Sequence, residues 1–386
     1  TYSQHGLTWN NITNGSNSAT IDMRTLLAST LPLGTHQMRV EVIDNEAQYL
    51  TVDLNFNIVP GVEVTIGSVD PWAHFAYVNA QYNTDAVPEG LALMYKKSSD
   101  SEWITYDQEI TFNGNLFTVK IPGLSPLTSY DVKVVTTKEF DDASVSHFTT
   151  EDAPQLPNMN MDQWYQDGSA WFPAPDAASL FWDTANGGTS DYGYVPTVRE
   201  DSHVVSGYAA KLSSIEAKVL VITKFAAGNL YTGSFGSVVL TGGGGAIVNF
   251  GRPYTGRPTG LKGYVDYQPG IVNNYCESEL TDLRKGKSDH GQIFVSLTDW
   301  TSAKEVNTTT GNFFDPVNDP SVIAYGSITL TENTNGYIEF DIPIEYRDNR
   351  KPTYSVLGAA ASKYGDYFTG AVGSVMYVDE MSFSFD

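Results

Sequence analysis

The sequence predicts an all-β, multi-domain protein in which β-sandwiches precede one large two-sheet jelly roll. Three observations predict it. Apolar residues recur at period two in short runs, as on a strand with one buried face. Those runs are punctuated by 34 Gly and 18 Pro, which break helices and supply turns. No long segment carries convincing helical periodicity apart from one candidate turn near Ser278–Arg284. At 386 residues the chain exceeds what one ordinary core accommodates, so two or three domains are expected.

Residues 1–60 close on two alternating runs, Gln37–Ile43 and Leu50–Ile58. Leu31-Pro-Leu-Gly-Thr35 leads into the first, and Asp44-Asn45-Glu46 is the polar turn of a hairpin between them. Residues 62–150 show strands at Val62–Val69, Phe75–Tyr82, Leu91–Lys96, Trp103–Tyr106, Leu116–Ile121, Tyr130–Thr137 and Ser144–Thr149. Glu151–Pro157, with two prolines, reads as a short semi-rigid linker. Beyond it, residues 155–386 form one β unit. Its strands read at Ala178–Trp182, Tyr208–Ser213, Lys218–Phe225, Ile247–Phe250, Leu261–Tyr267, Gln292–Leu297, Ser327–Leu330, Tyr337–Glu345, Tyr354–Ala360 and Val375–Phe385. Many short strands with long connections argue for a jelly roll.

Composition narrows the function classes. Lys and Arg total 22 against 45 Asp and Glu, a net charge of −23. That field repels phosphate backbones and anionic lipid, so nucleic acid is excluded as a partner and a polybasic membrane contact is disfavoured. No apolar run reaches the ~18 residues that span a bilayer. The one cysteine, Cys276, allows no internal disulfide and reads as a small buried hydrophobe. The chain begins at Thr1 rather than Met, so a leader or lipid-bearing cysteine is expected to have been removed.

Leu124-x-Pro126-x-Thr128-x-Tyr130 resembles the tyrosine corner of fibronectin type III domains, whose Tyr hydroxyl reaches back to upstream backbone. The 1–60 hairpin is similar to the closing half of an immunoglobulin-like domain, either a small sandwich or one without its first strands. In the last unit, Phe181–Asn186, Lys224–Gly233, Phe250–Tyr267, Ser362–Gly370 and Gly373–Glu380 resemble the putative carbohydrate metabolism domain family of gut-anaerobe surface lipoproteins. The resemblance implies a jelly roll similar to carbohydrate-binding modules, carried on spacer domains at the cell surface and outside the cell. It brings no catalytic residues. Val265 departs from the pattern, where a second aromatic is expected.

Three chemistries are open to such a unit. The first is a sugar platform, in which flat rings cover the apolar face of a pyranose and polar side chains meet its hydroxyls. Rings crowd the C-terminal unit (Trp164, Trp171, Trp182, Tyr254, Tyr264, Tyr267), with Asn186, Arg252, Arg257 and Asp266 close by in sequence. Alternation sets Lys262, Tyr264 and Asp266 on one face of their strand. The carbohydrate-binding candidates are therefore Trp182, Asn186, Arg252, Tyr254, Arg257, Tyr264 and Asp266, although β-sandwich cores consume most such rings. The second is a structural Ca²⁺ joining Asp162, at the start of the unit, to Asp379 of its last strand, since carboxylates are the hard oxygen ligands this ion takes. The third is glycoside hydrolysis, which needs two carboxyls across a cleft. Asp183, Asp266, Glu277, Glu279, Asp282, Glu339 and Asp341 supply carboxyls, but no pair stands out. There is no Gly-x-Ser-x-Gly elbow, and Gly242–Gly245 lacks the Lys of a phosphate loop. The expectation is a non-catalytic cell-surface protein holding a polysaccharide or other glycan. An adhesive role toward another surface protein is the first alternative and a glycoside hydrolase the second.

Overall fold

A computed structural model describes residues 34–43, 48–58, 62–138, 143–241, 243–275 and 283–386. The Leu31–Leu33 lead-in, the 44–46 turn, Gly242, Cys276, Glu277, Glu279, Asp282 and most of the candidate turn at 278–284 lie outside them, as does the rest of the segment read as immunoglobulin-like. Within that segment, Gly34–Ile43 and Tyr49–Ile58 pair antiparallel as expected, in register from Gly34↔Ile58 to Ile43↔Tyr49.

The 64–149 segment is a sandwich of two four-stranded sheets. One runs Val64–Pro71, Ala76–Tyr82, Leu116–Ile121, Phe112–Asn113, and the other Ser146–Thr149, Ser129–Val135, Ala92–Lys97, Ile104–Thr105. Alternation buries Val78, Leu93, Phe117, Val119, Ile121 and Val132 between them. Tyr130 is buried, and its hydroxyl accepts the Ser125 N–H at 2.9 Å. The tyrosine corner is therefore formed, the ring closing the core while its oxygen satisfies an upstream backbone donor.

The larger unit has two antiparallel sheets. The nine-stranded sheet is built on the order Lys304–Asn307, Gly245–Phe250, Asn229–Val239, Tyr354–Ala360, Gly291–Thr298, Val322–Leu330, Glu345–Tyr346. Trp182–Asp183 pairs in addition with Asn229–Val239, and Arg252–Pro253 with Tyr354–Ala360. The five-stranded sheet runs Thr197–Glu200, Ala209–Ser213, Val375–Ser384, Gly260–Gln268, Ile338–Pro343. Leu212, Leu261, Val265, Met376 and Val378 of the smaller sheet meet Leu230, Ile293, Val295, Leu297 and Leu357 of the larger in one core.

Two readings are corrected. Lys218–Phe225 is not one strand but the hairpin Ile215–Val219/Ile222–Ala226, because Leu220 takes a left-handed backbone (φ 56°) and turns the chain. The 178–182 run holds a short 3-10 turn, Ala177–Ser179, capped by Asp176, before a two-residue strand. Asn229–Val239, a central strand, went unread because Gly233 and Gly236 look like breakers. Both sit where neighbouring backbone comes close: a Cβ on Gly233 would lie 2.2 Å from the Asn249 carbonyl oxygen, and one on Gly236 would lie 2.8 Å from that of Ile247. The register slips there between Phe235 and Ser237, as at a bulge.

The linker is packed rather than free. Leu156 enters the jelly-roll core, and Gln155 exchanges two hydrogen bonds with the backbone of Phe383. Beside it, Arg257 spans the boundary to the 64–149 sandwich. Its guanidinium donates to Glu151 at 2.7 Å, Asp70 at 2.9 Å and the Pro71 carbonyl at 2.6 Å. It also stands 4.1 Å from the centroid of the Trp72 ring, which meets Tyr346 edge-on.

Candidate functional site

Most of the residues proposed as a sugar platform are structural. Trp182 is fully buried in the jelly-roll core, with its indole N–H donating to the Pro157 carbonyl at 2.6 Å. Tyr254 is buried there too, its hydroxyl donating to the Pro154 carbonyl at 2.8 Å. Asn186 is enclosed, donating to the carbonyls of Trp171 and Thr197 and accepting the Thr197 N–H. Arg252 donates to the carbonyls of Leu180, Phe181 and Gly233, and Arg257 belongs to the domain junction. The reason is common to all five: they sit where chain segments cross, and the orphan carbonyls or carboxylates there need donors.

The alternation read at 261–267 is correct. Leu261, Val265 and Tyr267 face the core, while Lys262 is exposed and Tyr264 half-buried on the other face. That face is not open, however. The 201–208 loop folds across it, so Asp266 is only 1% exposed, accepting from Thr334 at 2.9 Å and lying 2.7 Å from His203 Nε2. The same loop engages both residues assigned to Ca²⁺. Asp379 accepts the N–H groups of Val205, Ser206 and Glu380, and Asp162 accepts that of Tyr208. The two do converge: burial first, then the nearby charge of Asp162, raises Asp379 above the usual carboxylate range. Both Asp379 oxygens accept backbone N–H groups, while Asp162 accepts one backbone N–H and the Asn160 side-chain amide, and among the described residues no three acidic, His or Cys side chains group as metal ligands.

A cavity of about 150 Å³ lies elsewhere. Leu230 of Asn229–Val239 points into the core and Tyr231 does not, so the cavity occupies the outward face of the nine-stranded sheet. The 215–226 hairpin, the turn at Gly365–Phe368 and the short helix Asn186–Thr189 stand around it. Phe225, Phe235, Phe368, Ile222, Val238 and Val248 make its walls apolar, and Lys224, Asn229, Tyr231 and Asp366 add polar groups.

Two of these groups are poised. Tyr231 is 4% exposed, and its hydroxyl has no hydrogen-bond partner among the described residues. Burial first, then the charges of Asp183 and Asp366, push its phenol well above the ordinary value, so it remains an O–H donor at any physiological pH. Asp366 makes no hydrogen bond or ion pair among the described residues, and burial pushes its carboxyl to about 6. It nevertheless keeps part of its surface and is one of the residues lining the cavity. A perturbed carboxyl and an unpaired donor lining one cavity are features that ligand sites share. Phe368 adds strain: it holds a left-handed backbone (φ 52°) where its N–H closes the turn on the Gly365 carbonyl. Lys224 places its ammonium 4.4 Å from the centroid of that ring.

Asp183 is the cross-strand partner of Tyr231 and is not among the residues lining the cavity. Its oxygens accept the Phe235 N–H at 2.7 Å and the Thr184 N–H at 2.8 Å. Sequence reasoning passed over Lys224, Tyr231 and Asp366, although the signal was present. They lie in Lys224–Gly233 and Ser362–Gly370, two stretches that carry the family resemblance, and Phe181–Asn186 supplies Asp183.

Fold and cavity together define a two-sheet jelly roll with a ring-sized, largely apolar pocket on its larger sheet. Residues 147–384 match the putative carbohydrate metabolism domain, and the chain belongs to that family. It is therefore a carbohydrate-related protein. Among solved structures, a putative glycoside hydrolase from Bacteroides thetaiotaomicron is similar over 85% of this chain and 98% of its own, at 16% identity and a TM-score of 0.46. A second, from Bacteroides vulgatus, covers 60% of this chain and 98% of its own at 20% identity and a TM-score of 0.44. A tandem of carbohydrate-binding modules from Paenibacillus barcinonensis matches over 92% of this chain and 94% of its own, at 10% identity and a TM-score of 0.23. No curated protein matches the chain.

Proposed function

We propose that this protein binds glycans without cleaving them, and that the cavity on the nine-stranded sheet is where it does so. The observation that carries the reading is that the cavity is lined both by Tyr231, whose buried hydroxyl has no partner among the described residues, and by Asp366, which makes no side-chain hydrogen bond or ion pair among them. Such groups are costly to bury unless a ligand completes their hydrogen bonds. Three phenylalanine rings on the walls supply the flat apolar contact a sugar ring or its substituent requires. At roughly 1–2 kcal/mol per ring contact, a few contacts support millimolar to micromolar affinity, suited to multivalent display. The sandwich preceding the jelly roll, locked to it through Arg257, acts as a spacer in this reading. The protein then works outside the cell, as a surface lipoprotein capturing polysaccharide.

One observation favours a second reading. A carboxyl held near 6 is suited to general acid catalysis, so Asp366 is the residue a hydrolase would use. Hydrolysis with retention or inversion needs a second carboxylate, and Asp183 is committed to backbone donors. Binding is therefore the better-supported function.

An array of plant, host and microbial glycans probed with the full chain tests the proposal, with binding expected to be weakened in Tyr231→Phe. Silence across the array together with capture of another envelope protein would favour the adhesive role. Release of reducing ends that disappears in Asp366→Asn would establish hydrolysis.

A further inference from the structure

We propose that the group this cavity accepts is the acetamido substituent of an N-acetylated amino sugar. The inference rests on the glycan-binding reading and specifies its ligand. An acetamido group makes three demands at once: an apolar slot for its methyl, an acceptor for its N–H and a donor for its carbonyl oxygen. Phe225, Phe235, Phe368, Val238 and Val248 line the slot. Asp366 is the acceptor and makes no hydrogen bond within the described residues, while Tyr231, 4% exposed, offers an O–H with no partner among them. The cavity, about 150 Å³, matches the size of an apolar cavity that holds one six-membered ring, so it takes the substituent and one edge of its sugar.

Competing sugar chemistries each leave a demand of the site unmet. A fully hydroxylated sugar would bring hydroxyls against phenylalanine and valine walls, where an unpaired polar group is unfavourable. A 6-deoxy sugar would fill the slot with its methyl but leave both Tyr231 and Asp366 unpaired. A free amino sugar would satisfy Asp366 but carries a cation into a cavity that Lys224 also lines, and it gives Tyr231 no carbonyl.

The test is titration calorimetry with saturation-transfer NMR on the full chain. The probes are the methyl glycosides of N-acetylglucosamine, N-acetylgalactosamine, glucosamine, glucose and fucose. We expect at least one N-acetylated probe to bind about tenfold or more tighter than the other three, equivalent to about 1.4 kcal/mol, with its acetyl methyl receiving the strongest saturation. Tyr231→Phe and Asp366→Asn should each weaken that binding about tenfold. Tyr231→Phe should leave the melting temperature unchanged or higher, because it removes a buried hydroxyl that bonds to nothing in the fold. If glucose or fucose binds as well as the N-acetylated probes and still responds to Tyr231→Phe, the acetamido assignment falls while glycan binding at the cavity stands. If sugars bind but neither substitution changes any affinity, the cavity is not the site and both readings fall.

Discussion

Replacing Asp366 by Asn should stabilise the protein at neutral pH while weakening the ligand site. Burial moves this carboxyl from 3.8 to about 6, so the folded chain holds the proton more tightly than the unfolded chain. Stability from this group is therefore complete below pH 3.8, declines as the pH rises to about 6, and is level above that. At 1.36 kcal/mol per pH unit, the interval corresponds to about 3 kcal/mol. Water entering the cavity screens the charge, so we expect Asp366→Asn to gain about 1–3 kcal/mol at pH 7.5. At pH 3.5, where both side chains are neutral, the two proteins should coincide. Calorimetric melting of wild type and variant at several pH values, read on the jelly-roll transition, makes the comparison, because their difference cancels every other titrating group. A variant that is no more stable at pH 7.5, or whose advantage persists unchanged at pH 3.5, would refute the reasoning. A carboxylate retained at a stability cost is what a binding role requires.

Three further outcomes follow from other parts of the structure. Arg257→Met leaves Glu151 and Asp70 without their buried cation and should destabilise the domain junction by up to about 3 kcal/mol; separation of the sandwich and jelly-roll melting transitions would report it, and an unchanged thermogram would refute it. Tyr130→Phe strips the Ser125 N–H of its acceptor inside the tyrosine corner and should cost about 1–2 kcal/mol, measured as a lower denaturant midpoint with unchanged slope. Because backbone N–H groups already occupy Asp162 and Asp379, EDTA should leave the melting temperature unmoved. A fall of several degrees, restored by Ca²⁺, would place an ion there after all.

The strands with one buried face were legible because alternation is a local property. Tyr354–Ala360 and Leu116–Ile121 appear in the structure with the bounds the pattern assigns. The tyrosine corner was legible for the same reason, since Ser125 and Tyr130 are five residues apart. Asn229–Val239 was not, because the closeness of the Asn249 and Ile247 carbonyls that makes its glycines necessary belongs to the neighbouring strand.

The candidate site divides the same way. Sequence alone determined that the protein is all-β, acidic and rich in rings, and that particular stretches belong to a carbohydrate-related family. Which rings and charges remain available was decided by tertiary structure, because solvent exposure depends on what crosses above a residue. Trp182 and Arg257 are consumed where segments meet, and the 201–208 loop closes over Asp266. Tyr231 and Asp366, 135 positions apart, face one cavity only because a sheet strand and a distant turn pack side by side.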